Sequence, residues 1–123
     1  MYVYPAHLVR VVDGDTLDLR VDLGFNVRLD LRVRLWGVDT PEKYGVRKGT
    51  PEHQRGEAAS AFTAQWLGEA HRLEVRSHNG RKLGRGRYGR WIAEVWRYVG
   101  EERDPTPLSG ALLSAGHARP VRY

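Results

Sequence analysis

Cysteine is missing from all 123 residues, which excludes disulfide scaffolds, thiolate zinc sites and cysteine nucleophiles together. No apolar run approaches the roughly 18 to 20 residues that cross a bilayer as a helix, so no membrane partner is expected. The opening Met1 to Leu8 is too short and too polar for a secretory signal, which makes a cytoplasmic location the default expectation. Internal repeats and low-complexity blocks are also missing. The five histidines (His7, His53, His71, His78, His117) show no paired metal-ligand spacing and read as ordinary core or surface residues.

What is present describes one folded domain over residues 1–123. Hydrophobic residues make up 41% and charged residues 28%, a balance that excludes wholesale disorder. The 20 Lys and Arg outnumber the 15 Asp and Glu, leaving +5, which favours a polyanionic partner. Arginine supplies most of the cations, and its planar fork grips phosphate with two hydrogen bonds where lysine offers a point charge. Nothing points to more than a monomer.

Two segments alternate with a period of two. Leu17, Leu19, Val21 and Leu23 are separated by Asp18, Arg20 and Asp22. Val27, Leu29, Leu31, Val33 and Leu35 are separated by Arg28, Asp30, Arg32 and Arg34. Each reads as a strand with one dry face, and Gly24-Phe25-Asn26 suits a three-residue hairpin loop. Charge fixes the register. Pairing Leu23 with Val27 sets Asp22 against Arg28, Arg20 against Asp30, Asp18 against Arg32 and Thr16 against Arg34, whereas a two-residue slip opposes like charges. A strand over Leu8–Val12 precedes this hairpin. A helix over Glu57–His71 follows it, its apparent face running through Ala58, Ala61, Phe62, Gln65 and Trp66. Strands over Leu73–Arg76 and Trp91–Trp96 come next, then a short helix capped by Ser109 and ending near Gly116. Five short strands with a helix after the third suggest an α+β chain built on a small Greek-key barrel of the OB type.

Three segments carry candidate chemistry. Asp13-Gly14-Asp15-Thr16 lies between two strands, and alone it reads as a turn. Asp39-Thr40-Pro41-Glu42 follows the long strand and alone reads as a turn or a helix start. The hairpin register brings Asp15 to the end of that same strand, beside Arg34. Carboxylates converging there suit a hard divalent cation such as Ca²⁺ or Mg²⁺. With no carboxylate directly opposite it, Arg34 reads as an unpaired grip for phosphate. The third segment, Arg81 to Arg90, holds five cations, three glycines and Tyr88 without an acid. It fits a nucleic-acid contact as well as it fits a solvated basic loop.

Val12-Asp13-Gly14-Asp15-Thr16, Arg34-Leu35-Trp36-Gly37-Val38-Asp39-Thr40-Pro41-Glu42, Gly56-Glu57-Ala58-Ala59 and Tyr88-Gly89-Arg90 occur in this order. Together they resemble the staphylococcal nuclease-like (thermonuclease) family, over about Leu8 to Arg119. The resemblance implies an OB-fold five-stranded Greek-key β-barrel with flanking helices. It also implies Ca²⁺-dependent hydrolysis of DNA and RNA to 3′-phosphate ends around one bound ion, with single strands the expected preference. By position, Asp15 and Asp39 would be metal carboxylates and Thr40 would add its backbone carbonyl. Glu42 would be the general base, Arg34 and Arg90 would clamp the scissile phosphate, and Arg87 and Tyr88 would touch a neighbouring one. The competing expectation is an OB-fold module that binds single strands without cutting them. The sequence departs from the family pattern at Gly86, where an aspartate often precedes Tyr-Gly-Arg, and in a longer hairpin around Gly24.

Overall fold

The hairpin expected from charge forms in the expected register. In the computed structural model, which describes residues 2–43, 45–83 and 90–122 and the side chains of these except 79–83 and 90, β2 (Thr16–Asp22) and β3 (Arg28–Leu35) pair antiparallel. Asp22 faces Arg28, Arg20 faces Asp30, Asp18 faces Arg32 and Thr16 faces Arg34. Two of these charge pairs close as two-pronged ion pairs, Arg20 on Asp30 at 2.8 and 3.1 Å and Arg32 on Asp18 at 2.8 and 3.1 Å. The third does not: Asp22 instead accepts the Gly24 N–H at 2.8 Å and shapes the turn. All three loop residues take positive φ, Gly24 at 78°, Phe25 at 53° and Asn26 at 61°. Leu23 and Val27 close the loop with a 2.9 Å backbone bond.

Around this hairpin the sheet closes on itself. Strand β1 (Val3–Asp13) pairs with β2 on one side and with β5 (Arg72–Leu83) on the other, both antiparallel. Next comes β6 (Arg90–Val99), antiparallel to β5 and parallel to β3 through Val33–Trp91, Arg34–Ile92 and Leu35–Ala93. The order β3-β2-β1-β5-β6 returning to β3 is a closed five-stranded barrel. The strand after the helix comes back beside the first, which is the Greek-key connection of an OB-type fold. Two-residue strands β4 (Val38–Asp39), β7 (Glu102–Arg103) and β8 (Arg119–Pro120) complete the described sheets, with β7 on β6 and β4 paired to β8.

The barrel interior takes alternate residues of each strand, including Leu17, Leu19, Val21, Val33, Leu35, Val75, Ala93 and Val95. Trp66 and Leu67 of α1 (Pro51–Gly68) and Leu108 and Leu112 of α2 (Leu108–Ser114) close the core. The dry face expected along the whole hairpin ends early: Leu23, Val27 and Leu29 are exposed, because the hairpin tip projects beyond the barrel. Helix α1 starts at Pro51, not Glu57. Thr50 accepts the His53 N–H at 3.2 Å, and Pro51 follows with its φ already set for a first turn. Its buried face is His53, Gly56, Ala59, Ser60, Thr63, Trp66 and Leu67. Ala58, Ala61 and Gln65 of the expected stripe are exposed. Polar and glycine positions therefore make up much of the contact, a face that counting apolar residues misses. Ser109 lies inside α2, whose cap position is Pro107 with no side-chain bond.

Candidate functional site

Two close backbone approaches assemble the site. A Cβ at Gly14 would lie 2.8 Å from the Ala59 Cβ and 3.1 Å from Thr40 Cγ2. One at Gly56 would lie 2.4 Å from the Glu42 carbonyl oxygen. The Asp13-Gly14-Asp15 turn and the 40–43 loop thus both rest on α1 where glycine or alanine leaves room. Thr63, fully buried, donates to the Gly14 carbonyl at 2.7 Å, and the Lys43 N–H donates to Asp13 at 3.2 Å. The motifs recognised separately in the sequence therefore pack against one another.

Asp15 sits in this junction at 5% exposure. Its Oδ1 accepts the Thr16 hydroxyl at 3.0 Å, its Oδ2 accepts the Thr40 N–H at 2.9 Å, and Arg34 Nη1 pairs with the same oxygen. After β3, Gly37 at φ 83° turns the chain. Asp39 on β4 then faces back, and its Oδ1 accepts Arg34 Nη2 at 2.9 Å. The arginine read as unpaired is therefore corrected: one guanidinium bridges both carboxylates. Cross-strand pairing alone could not reveal this, because Asp39 returns through the turn and not through a neighbouring strand. Removing one partner of so buried a pair leaves an uncompensated charge and costs about 3–5 kcal/mol.

Arg119 is a neighbour of this site that sequence reasoning missed. It donates to Asp39 Oδ2 through Nε at 3.2 Å and Nη2 at 3.0 Å, across the β4–β8 pairing. No local pattern marks a partner lying 80 residues away. Beside Asp39 opens a cleft of about 530 Å³ whose lining includes Thr40, Glu42, Glu52, Arg55, His117 and Arg119. Glu42 is exposed on this cleft, so its carboxylate is open to water and to anything the cleft admits.

The donors here suit a hard divalent cation. Asp15 and Asp39 offer carboxylate oxygens aimed at one positive centre, and the buried Thr40 hydroxyl beside them lacks a hydrogen-bond partner among the described residues. Among the described residues no three acidic or histidine side chains gather as a metal cluster, so an ion held by these two carboxylates would take its other ligands from carbonyls or water. Of the remaining candidates, Arg90 opens β6, its backbone opposite Leu83. Its side chain lies outside the described residues, as do Arg87 and Tyr88. Asp15, Arg34, Asp39, Thr40 and Glu42 are thus brought to one place.

Comparison with known proteins gives the family of the chain. The family described as "Staphylococcal nuclease homologue" matches residues 32–123. The chain is 42% identical over 94 residues to a thermonuclease of Staphylococcus intermedius, covering 76% of this chain and 48% of that protein. It is 28% identical over 121 residues to Protein ParB of Escherichia coli, covering 96% and 58%. The chain spans about half the length of the curated relatives it matches.

Proposed function

Since the chain belongs to the staphylococcal nuclease homologue family, we propose that it is a nuclease hydrolysing phosphodiester bonds of DNA and RNA with the help of one Ca²⁺ ion. The observation that carries this reading is the convergence of Asp15, Asp39 and Arg34 beside a cleft that exposes Glu42.

In this reading Asp15 and Asp39 hold the ion, with the Thr40 carbonyl. When bound, the ion supplies positive charge at the phosphate, where an in-line displacement concentrates negative charge. Arg34 and Arg90 orient the phosphodiester and neutralise its equatorial oxygens, while Arg87 and Tyr88 contact a neighbouring phosphate. A preorganised donor of this kind contributes roughly 10²- to 10³-fold. Glu42 takes the proton from the attacking water, and departure of the 5′ oxygen leaves a 3′-phosphate. Single strands are the preferred substrate and the protein acts as a monomer.

The test is digestion of single-stranded DNA and of RNA by wild type and Glu42→Gln, with Ca²⁺ and with excess chelator. Glu42 is exposed and makes no buried ion pair among the described residues, so the substitution leaves the fold intact and isolates the chemistry. Turnover should fall roughly 10²- to 10⁴-fold in the variant and vanish in chelator. Wild-type cleavage by Glu42→Gln would remove Glu42 from the mechanism, undiminished cleavage in chelator would remove the ion, and binding without cleavage by wild type would make the domain a non-catalytic binder.

A further inference from the structure

The outer wall of the barrel next to the site carries an aromatic assembly that the chemistry above does not use. Trp36 follows the last residue of β3, two residues beyond Arg34. Its indole lies flat on the His78 imidazole of β5, with ring centres 4.7 Å apart and planes 2° from parallel. His78 Nε2 is 2.7 Å from Glu94 Oε2 on β6, and the other oxygen of Glu94 accepts the Trp96 indole N–H at 2.9 Å. Trp96 in turn lies beneath two guanidinium groups, Arg76 at 4.8 Å and Arg103 at 4.5 Å from its ring centre. The sequence shows none of this, since the participants come from four separate strands or turns.

Two features separate this assembly from ordinary packing. Trp36 is 41% exposed although one of its faces is covered by His78, so a large flat apolar surface remains open to solvent. The ring is also held in place: His78 is fixed by Glu94, and Glu94 by Trp96. A ring already fixed loses little rotamer freedom when something stacks on it. On a domain of net charge +5, with Arg76 and Arg103 gathered over Trp96 at the other end of the assembly, such a surface suits a flat partner attached to an anionic chain.

We infer that Trp36, backed by His78, is a stacking platform for a nucleobase of single-stranded nucleic acid one step away from the phosphate held at Arg34. This rests on the nuclease reading for the identity of the chain being held. Successive residues of a strand advance by about 3.3 Å, so two residues from Arg34 place Trp36 within reach of a nucleotide adjoining the reacting one. Every base presents a flat face, so the platform favours unpaired over duplex substrate and discriminates little among bases.

The test compares wild type, Trp36→Ala and Trp36→Tyr by fluorescence anisotropy with a labelled oligothymidylate and an abasic oligomer of equal length, in chelator so that nothing is cut. Wild type should prefer the oligomer with bases by roughly 5- to 150-fold, the range for a single stacked base. Trp36→Ala should lose most of that preference and Trp36→Tyr should keep most of it. With Ca²⁺, Trp36→Ala should raise KM for single-stranded DNA and leave kcat unchanged. A wild type indifferent to bases, or a Trp36→Ala variant with undiminished preference, overturns the platform. If wild type prefers bases and Trp36→Ala loses that preference but wild type cuts nothing, the nuclease reading falls and the platform stands. If it cuts and Trp36→Ala changes neither preference nor KM, the reverse holds.

Discussion

Replacing Gly56 by alanine sets two effects of known size against each other. Gly56 lies within α1, where alanine is preferred over glycine by about 1 kcal/mol. Its added Cβ, however, would lie 2.4 Å from the Glu42 carbonyl oxygen, 2.7 Å from the Glu42 carbonyl carbon and 2.9 Å from the Lys43 nitrogen. These are backbone atoms, with no flexible side chain to swing aside. Cβ contacts essentially never fall below 3.0 Å, so helix and loop must separate by at least 0.6 Å at the closest atom. Overpacking of this kind costs about 1–3 kcal/mol, so the net effect on stability is a loss of about 0–2 kcal/mol. The larger consequence falls on Glu42, the residue that moves: a displacement near 1 Å costs on the order of 10²-fold in rate. Thermal melts and kcat on single-stranded DNA should therefore separate, with a modest drop in Tm and a tenfold to hundredfold drop in rate (roughly, from the same misplacement scale). Gly68→Ala is the internal control: a Cβ there meets nothing within 4 Å, so it should keep the wild-type rate and melt no lower than wild type. A Gly56→Ala protein that melts higher and cuts at the wild-type rate would refute the argument that this glycine sets the position of the loop.

Three further substitutions test other parts of the reasoning. Thr63→Val removes the hydroxyl that satisfies the Gly14 carbonyl at 2.7 Å and should cost about 1–3 kcal/mol in a denaturant titration, while Thr63→Ser should restore most of it. The Thr106 N–H, and after it the Arg97 guanidinium, hold the Asp104 carboxyl below its ordinary value of 3.8. Its stabilising contribution is therefore fully present above the unfolded value and is lost as pH falls through the lower folded one. Wild type should exceed Asp104→Asn in stability at neutral pH, and the gap should close below about pH 4 in paired acid melts. Arg119→Ala frees the outer oxygen of Asp39 from its two contacts, so Ca²⁺ affinity measured by calorimetry should change severalfold, and an unchanged isotherm would show that Arg119 does not bear on Asp39.

Much of the barrel was legible because its signals are local and redundant. In the β2–β3 hairpin, alternation chose the faces and three opposite-charge pairs chose the register, and the register formed as expected even though the Asp22–Arg28 pair does not close. Helix α1 was misread at both levels for one physical reason. Its docking face is built from small and polar groups, with Gly56 and Ala59 allowing backbone contact and Thr63 supplying a hydrogen bond. Hydrophobic periodicity measures transfer from water, and this contact depends on close approach and satisfied polar groups instead. The same blindness hides the Trp36–His78 stack, whose members belong to different strands and share no sequence spacing.

The candidate site shows the difference between locating residues and knowing their state. The structure brings Asp15, Arg34 and Asp39 together beside the cleft that Glu42 lines, yet the sequence left Arg34 free when it is doubly engaged. The missing piece was Gly37: its positive φ reverses the chain after β3 and carries Asp39 back over the strand it has just left. A residue on the polar face then meets a carboxylate from its own chain direction as well as one across the ladder. A planar fork meets each with a separate nitrogen, Nη1 on Asp15 and Nη2 on Asp39, whereas an ammonium group would have to serve both from a single atom. The guanidinium between them satisfies one oxygen of each carboxylate. Arginine at position 34 thus serves the carboxylates as much as any phosphate, and the side chain read as a substrate grip is first of all the group that ties Asp15 to Asp39.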